Sequence, residues 1–355
     1  MEKVISKKQT KSVKVKISFV KALSELLSEF PGRAQEIVIG RYGVSDGHTK
    51  TLEEIGGKYG ITRERVRQVT REVFRKAEEK KDEMFLQEVR KAMRFAIEQR
   101  SGIIKLKELI KKLGNGNVSE EGAVKFFLDC ASDCVAIDVK GEIAKSCANP
   151  GFDIEQWRVI KEKTKELLVK KGQPVSENEL YADFLKDGAL PKLDKKTLFD
   201  YLSVSEEISK NNFDKWGLSK WKEITPKGTR EKAYLILKEA GKPLHFRDIA
   251  KGIDKYKLTK KKAHPQTVHN ELIKDSKFIL VGRGIYALAD WGYRRGTVKD
   301  VIKRILQEKG QPMTRDAILN EVLKVRQVKK TTIVINLNNF FAKTADGAYI
   351  MKGKK

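Results

Sequence analysis

Residues 51–69 read TLEEIGGKYGITRERVRQV, and the fold of the chain turns on them. Thr51 with Glu54 three positions on is a capping box, so a helix begins at Leu52. Leu52 and Ile55 face inward, and Gly56 lets a neighbouring helix approach closely. Tyr59-Gly60 supplies the turn, with Gly60 free to take a left-handed conformation. Ile61 plugs the core, Thr62 caps a second helix, and Val66 and Val69 fall on its buried side. This order predicts a helix-turn-helix, whose second helix suits the DNA major groove. The exposed face of that helix carries Arg63, Glu64, Arg67 and Gln68 as two i,i+4 pairs. Arginine matches guanine edges, glutamine matches adenine, and glutamate accepts from cytosine N4. Arg65, Arg71, Arg75 and Lys76 are placed for phosphates, which set orientation and carry no sequence information. Stripped of the preceding helix and turn, the same face would read as a solvated helix laced with ion pairs.

Working outward, Phe19, Val20, Leu23, Leu26 and Leu27 fall at helix-face spacing, Pro31-Gly32 breaks that helix, and Ala34–Tyr42 resumes a short one. Residues 1–16 hold six lysines and one glutamate and read as a flexible basic arm. The whole chain, 355 residues, has 74 Lys+Arg against 48 Asp+Glu, a net charge of +26. Such a surplus disfavours an ordinary metabolic enzyme and points to a polyanionic partner. A hydrophobic content of 40% suffices for folded cores. No apolar run is long enough for a membrane span, and no secretion signal is visible. Three cysteines fit a reducing compartment. The expected location is cytoplasmic and nucleoid-associated.

Downstream lies a repeat. Gly102, Gly172, Gly241 and Gly310 each follow an apolar helical segment and precede a short turn and another helix. Three continue as Gly-x-Pro, at Pro174, Pro243 and Pro312. Eight residues after each glycine stands Ile110, Leu180, Ile249 or Ile318. A near-constant period of about 70 residues predicts tandem copies of one small domain. Ser176, His245 and Thr314 are caps for the second helix of the later copies, Ser176 with Glu179 forming a capping box. Each copy closes with β-prone runs about a glycine. The clearest is FILVGRGIYALADW, a tight hairpin over Gly282-Arg283-Gly284; FFAKTADGAYIMKG repeats the theme at Asp346-Gly347. Three helices and a hairpin make a winged helix. The lysine-rich loop before Pro265 then leads into a recognition helix.

The stretch FPGRAQEIVIGRYGV…KTLEEIGGKYGITRERVRQV closely resembles the fourth conserved region of primary bacterial sigma factors, over about residues 20–80. In that family the helix-turn-helix reads the promoter −35 element and the preceding segment grips the flap of RNA polymerase. The resemblance implies base-reading roles for Arg63, Glu64, Arg67 and Gln68. It places Thr51 and Leu52 at the DNA backbone, with Arg65 in support. Thr70, where the family usually has glutamate, and Val73-Phe74-Arg75, in place of alanine-leucine-arginine, depart from the pattern. No segment resembles the aromatic-rich helix with which sigma factors capture an unpaired −10 strand, so promoter melting by this chain alone is not expected. A second stretch, TPKGTREKAYLILKEAGKPLHFRDIAKGI…HPQTVHNELIKDSKFILVGRGIYALADWGY, looks like the HARE-type winged domain of the polymerase delta subunit, restriction systems and chromatin regulators. It covers roughly residues 225–293, and the other copies look like divergent versions. Its candidate nucleic-acid patch is Lys260, Lys261, Lys262, His264, Gln266, Thr267 and the wing residue Arg283. Winged helices also pack against proteins or each other, so that use stands beside it.

The remaining signals are weak. Cys130, Cys134 and Cys147 lack the spacing and histidines of a zinc site, so buried thiols are expected and no metal. His245 reads as a cap, His264 and His269 as polar faces of the recognition helix, and His48 as loop. Trp157, Trp216, Trp221 and Trp291 read as packing. No phosphate-binding loop, catalytic triad or nuclease motif is visible, so neither catalysis, cofactor nor small-molecule substrate is expected.

The expected architecture is mainly α, with tandem helix-turn-helix and winged-helix domains. Its segments are a basic arm (1–16), a sigma-like domain (17–82), a divergent winged module (83–150), a winged module (151–224), a HARE-type domain (225–293) and a last winged module (294–355). The expected function is a bacterial-type transcription factor that binds double-stranded promoter DNA and contacts core RNA polymerase at the β flap, with no membrane partner. The alternative is a polymerase-associated modulator that docks without reading DNA.

Overall fold

The computed structural model describes residues 17–131, 134–186 and 193–352, so the basic arm expected at 1–16 lies outside the described residues. The chain divides into two compact units, residues 1–209 and 210–355. The fold is mainly α, with small antiparallel sheets.

The first unit opens with four helices, α1 (Phe19–Leu27), α2 (Gly32–Tyr42), α3 (Leu52–Tyr59) and α4 (Arg63–Glu79). A winged-helix succession comes next: α5 (Met84–Glu98), β1 (Ile103–Lys105), α6 (Leu106–Gly114), α7 (Val118–Cys130), β2 (Val135–Val139) and β3 (Ile143–Ala148). A second begins with α8 (Ile154–Lys171), β4 (Val175–Ser176), α9 (Glu177–Lys186) and α10 (Lys195–Ser203). Strand β5 (Ile208–Lys210) reaches the division between the units, and β6 (Lys215–Leu218) opens the second. The second unit continues with α11 (Thr229–Ala240), β7 (Leu244–His245), α12 (Phe246–Lys255), α13 (Pro265–Lys274), β8 (Phe278–Gly282) and β9 (Ile285–Leu288). It ends with α14 (Val298–Lys309), α15 (Arg315–Val325), α16 (Lys330–Phe340), β10 (Phe341–Lys343) and β11 (Tyr349–Met351).

The glycines of the repeat work as helix stops. Gly172, Gly241 and Gly310 are left-handed caps with φ of 66°, 62° and 64°. The first copy makes the same turn through Ser101 and Gly102, with φ of 55° and 87°. Beyond the glycine the chain forms more than the expected turn. In the first copy β1 pairs with β3, and in the third β7 pairs with β9, giving sheets ordered β1-β3-β2 and β7-β9-β8. The last copy keeps a single bridge, Met313 to Tyr349. Two or three residues are too few to show strand alternation, which is why the sequence does not announce them. Leu180, Ile249 and Ile318 are buried as expected, but the first copy buries Leu109 and leaves Ile110 at its core's edge.

One apolar core runs from α1 through α7, across the division expected after residue 82. Phe19, Leu23, Leu26 and Leu27 of α1, Val38 and Tyr42 of α2, and Val73 and Ala77 of α4 pack with Val89, Met93, Leu109, Phe126 and Phe127. Helix α7 is the recognition-helix position of the first winged module, yet it is wrapped on most sides: Ala123, Val124, Phe126, Phe127 and Leu128 are all buried. Gly122 makes this possible, because a Cβ there would sit 2.9 Å from both Tyr42 O and Val44 Cα. Three neighbours of α7 bind it to the sigma-like part. The Glu120 carboxylate accepts from Ser18 Oγ (2.6 Å), Phe19 N (2.7 Å) and Val20 N (3.2 Å), closing the N-terminus of α1. Tyr42 donates its hydroxyl to Asp129 (3.0 Å), and burial, followed by the Asp129 charge, pushes its phenol well above the ordinary range. Phe74 of α4 lies 5.4 Å from Phe126, ring centre to ring centre.

Helix α10, the corresponding helix of the second winged module, is also engaged. Its Asp200, 5% exposed, accepts from Arg100 Nη1 (3.0 Å), Ser101 Oγ (2.9 Å) and Lys196 Nζ (2.9 Å). The loop after it continues the contact, Ala144 N donating to Val204 O at 3.0 Å. Beneath lies a core of Ile103, Ile143, Ala148, Trp157 and Val204, with Trp157 Nε1 donating to Tyr201 O (2.9 Å).

A candidate nucleic-acid interface

Helices α3 and α4 are built as their sequence dictates. Thr51 accepts from Glu54 N (3.2 Å) while the Glu54 carboxylate accepts from Thr51 N (2.6 Å). These backbone and hydroxyl donors hold the Glu54 carboxyl below the usual range. Gly60 closes α3 at φ 63°. At Gly56 a Cβ would lie 2.6 Å from Ile61 O, so the turn folds directly onto the helix backbone. Thr62 accepts from Arg65 N (3.2 Å) and starts α4. Ile37, Ile55 and Val66 form the small core beneath, ringed by Leu52, Tyr59, Ile61 and Val69. The reading helix thus stands on a rigid seat.

Arg63, Glu64, Arg67 and Gln68 are all exposed on α4, with Arg65 and Arg71 beside them. Their pairing differs from the expected i,i+4 scheme. Arg67 donates Nε and Nη2 to the two Glu64 oxygens at 2.8 and 2.9 Å, a bidentate i,i+3 pair. The Arg67 hydrogen bond holds the Glu64 carboxyl below its ordinary value. Arg63 reaches back to Glu53 of α3 at 3.7 Å. Arg65 donates to Gln68 Oε1 (3.2 Å), so its support goes to a member of the reading face rather than to Thr51 or Leu52. Thr51 is exposed at the start of α3, and Leu52 is half-buried in the small core. Arg75 pairs with Glu79 (3.0 Å), and Lys76 with Glu29 (3.6 Å) and Glu79 (3.8 Å), so both carry ion pairs at the far end of α4. Exposed pairs of this kind contribute little to stability and exchange readily for other anions.

The departures from the sigma pattern have a structural reason. Thr70 is buried and donates to Val66 O (3.0 Å), Val73 is fully buried, and Phe74 meets Phe126. The helix changes composition where it leaves its own small core and lies on α7. The same packing bears on α2. Its Ile37, Val38 and Tyr42 are buried, while Pro31, Gly32, Arg33 and Glu36 stay exposed or half-exposed.

In the second unit, α13 begins with Pro265 at its first turn and buries Val268 and Leu272. Lys260, Lys261, Lys262, His264, Gln266 and Thr267 are all exposed. Lys261, Lys262, His264 and Thr267 share one shallow depression with Thr229 and Lys232 of α11, two residues that the sequence pattern does not single out. Arg283 is exposed at the tip of the β8–β9 hairpin, on a different element. Gln266 donates to Asn270 (3.2 Å) along the outer face. His269 lies elsewhere than expected. Its ring is 4.6 Å from Phe246 and 5.8 Å from Tyr286, so it packs at the core edge and is not a polar face. His245 caps α12 as expected, its Nδ1 accepting from Arg247 N (3.2 Å). Cys130 and Cys134 are half-buried and Cys147 is buried. Burial pushes the Cys130 thiol up to about 12.

Two family models match this chain. Residues 26–76 match Sigma-70, region 4. Residues 229–291 match the HARE-HTH family, the helix-turn-helix domain of ASXL and restriction endonuclease proteins. Among curated proteins, the RNA polymerase sigma factor sigB of Arabidopsis thaliana is 41% identical over 66 residues, 19% of this chain and 12% of that protein. The RNA polymerase sigma factor SigA of Listeria monocytogenes is 41% identical over 54 residues, 15% of this chain and 14% of that protein. The matched stretch thus spans 12–14% of the length of these relatives. Both matched families are helix-turn-helix domains of the DNA-binding, transcription-related class, and neither is an enzymatic family. Among the described residues no helix is long and apolar enough to cross a membrane.

Proposed function

We propose that the chain is a DNA-binding transcription factor that reads promoter-type duplex DNA through α4. Arg63, Glu64, Arg67 and Gln68 meet base edges. Thr51, Leu52, Arg71, Arg75 and Lys76 lie against phosphates, and Arg65 steadies Gln68. The observation that carries this reading is the outward face of α4 on its rigid seat, with the Glu64–Arg67 fork poised to exchange its partner for a base. Lys260, Lys261, Lys262, His264, Gln266, Thr267 and Arg283 supply a second, sequence-independent contact. The working parts are the segments 17–82, 83–150, 151–224, 225–293 and 294–355, with residues 1–16 as a basic arm. Contact with RNA polymerase is assigned to the exposed corner of α2 at Arg33 and Glu36, because the apolar side of that helix is spent inside the protein. Selection of bound fragments from random duplex DNA at two salt concentrations tests the reading. Enrichment of a −35-like hexamer supports it, and binding without sequence preference refutes base reading.

A second reading is favoured by the burial of α7 and the engagement of α10. Two winged modules give their recognition helices to packing, as docking modules do. In that reading the chain binds polymerase and does not read DNA. Retention on core polymerase in high salt with nuclease present, together with no selected hexamer, would favour it.

A further inference from the structure

Arg326 is an unusual residue. It is 5% exposed, and no carboxylate among the described residues pairs with its guanidinium. It donates instead to three backbone carbonyls: Leu280 O in β8, Arg294 O (3.0 Å) and Gly296 O (2.6 Å). Burial, reinforced by the Arg304 charge and opposed by Asp300, lowers its proton affinity. Next to it, Gln327 N donates to Val281 O at 2.9 Å. At Gly282 a Cβ would lie 2.5 Å from Gln327 O, so the two backbones touch. Strand β8 has β9 on one side only, and residues 326–327 cover its other edge, meeting the carbonyls that an edge strand leaves open. The segment leading into α16 is therefore clamped onto the wing of the preceding module.

This juxtaposes two surfaces. The wing offers exposed Arg283, and the start of α16 offers Lys329, Lys330, Thr331 and Thr332, all exposed. No Asp or Glu occurs from residue 278 to 289 or from 327 to 343, although the chain has 48. An acid-free, rigid, basic surface with small polar side chains fits a sugar-phosphate backbone. We propose that the β8–β9 wing and the start of α16 form one continuous phosphate-tracking surface for duplex DNA, with Arg326 as the positioning residue that fixes one half against the other. This deepens the DNA-binding reading above and rests on it.

The test uses the full chain and a fluorescent duplex of arbitrary sequence, about 40 base pairs long to span several helical turns, with affinity measured across a salt series. Arg283→Ala and Lys330→Ala should each weaken binding several-fold and flatten the dependence of log affinity on log salt by about one unit. Lys330→Arg should restore both. Arg326→Met should lower affinity and make the losses from Arg283→Ala and Lys330→Ala independent of each other, where in the native protein they are coupled. Should Arg326→Met unfold the module, seen as a lost melting transition, the two alanine variants and the arginine rescue still decide the matter. If Arg283→Ala acts and Lys330→Ala does not, the continuous surface is refuted while DNA binding stands. If both variants act on single-stranded RNA and not on the duplex, the assigned partner is wrong. A native protein that binds no duplex at all refutes the DNA-binding reading itself.

Discussion

Replacing Phe126 by alanine should loosen the helix-turn-helix that lies far earlier in the chain. Phe126 is fully buried, with ring centres of Tyr42, Phe74 and Phe127 at 5.4, 5.4 and 5.2 Å. Truncating a buried phenylalanine costs about 3–5 kcal/mol. Three ring neighbours, each pair contributing about 0.5–1.5 kcal/mol, place this site toward the upper end. At about 1.4 kcal/mol per factor of ten, the opened population should rise from a hundredfold to a few thousandfold. Native-state hydrogen exchange on the full chain, read by mass spectrometry, resolves where that opening occurs. Peptides from α1, α2 and α4 should lose protection together with those from α5 to α7. Helices α14 to α16, whose core contains none of these residues, serve as the internal reference. If α1, α2 and α4 keep full protection while α7 loses it, the shared core is not a cooperative unit and the reasoning fails.

Three further outcomes are expected. Arg67→Ala should reduce discrimination at one base position by about ten- to a hundredfold, whereas Arg71→Ala should weaken all duplexes alike; equal losses across sequences for Arg67→Ala would remove it from base reading. Glu120→Ala should cost about 1–2 kcal/mol, because three donors at the start of α1 lose their acceptor, and a thermal melt identical to the native protein's would contradict the capping role. The buried Lys161 is linked to Glu142 (3.2 Å) and Glu207 (2.7 Å). Burial opposes its charge, yet hydrogen bonds to Glu162, Glu207 and Glu142 outweigh that and raise its proton affinity. The Arg158 and Lys161 bonds hold Glu142 low, and the Lys161 and Lys165 bonds hold Glu207 low against burial. The carboxylates therefore stabilise the fold above their ordinary value near 4.5 and lose that contribution as pH falls through their lower native values. The lysine's share is present below about 10.5 and fades only as pH rises through its raised value. Urea midpoints should show Lys161→Met well below the native protein at neutral pH, with the gap narrowing as the medium is acidified below the ordinary carboxylate range; an unchanged gap would contradict the linkage.

Much of this protein is written locally and can be read locally. The Thr51–Glu54 box, the Gly60 stop, the Thr62 cap and the left-handed glycines of the repeat each depend on neighbours within a few residues, and the structure bears them out. The hairpin about Arg283 and the helix starting at Pro265 arise from turn chemistry in the same way. The features that resist such reading depend on contacts between distant residues. Phe126 and Phe127 read as an ordinary apolar helix face, and nothing in their spacing says that the face belongs to α1, α2 and α4. Arg326 shows no charge partner in sequence because its partners are carbonyls. His269 looks polar because a histidine between two aromatic rings is indistinguishable, by position alone, from one facing water. Even so, Thr70, Val73 and Phe74 carry a usable signal. A familiar motif that turns apolar on its far side is announcing a neighbour.

The lodging of α7 beneath the reading helix also sets where this chain can be cut. A fragment ending at residue 82 would keep every base-facing side chain and strip the oily undersides of its own scaffold bare. Such a fragment invites clumping more than recognition. The smallest transplantable cassette runs on to the end of β3 at Ala148, and graft experiments that honour that border carry the brace along with the blade.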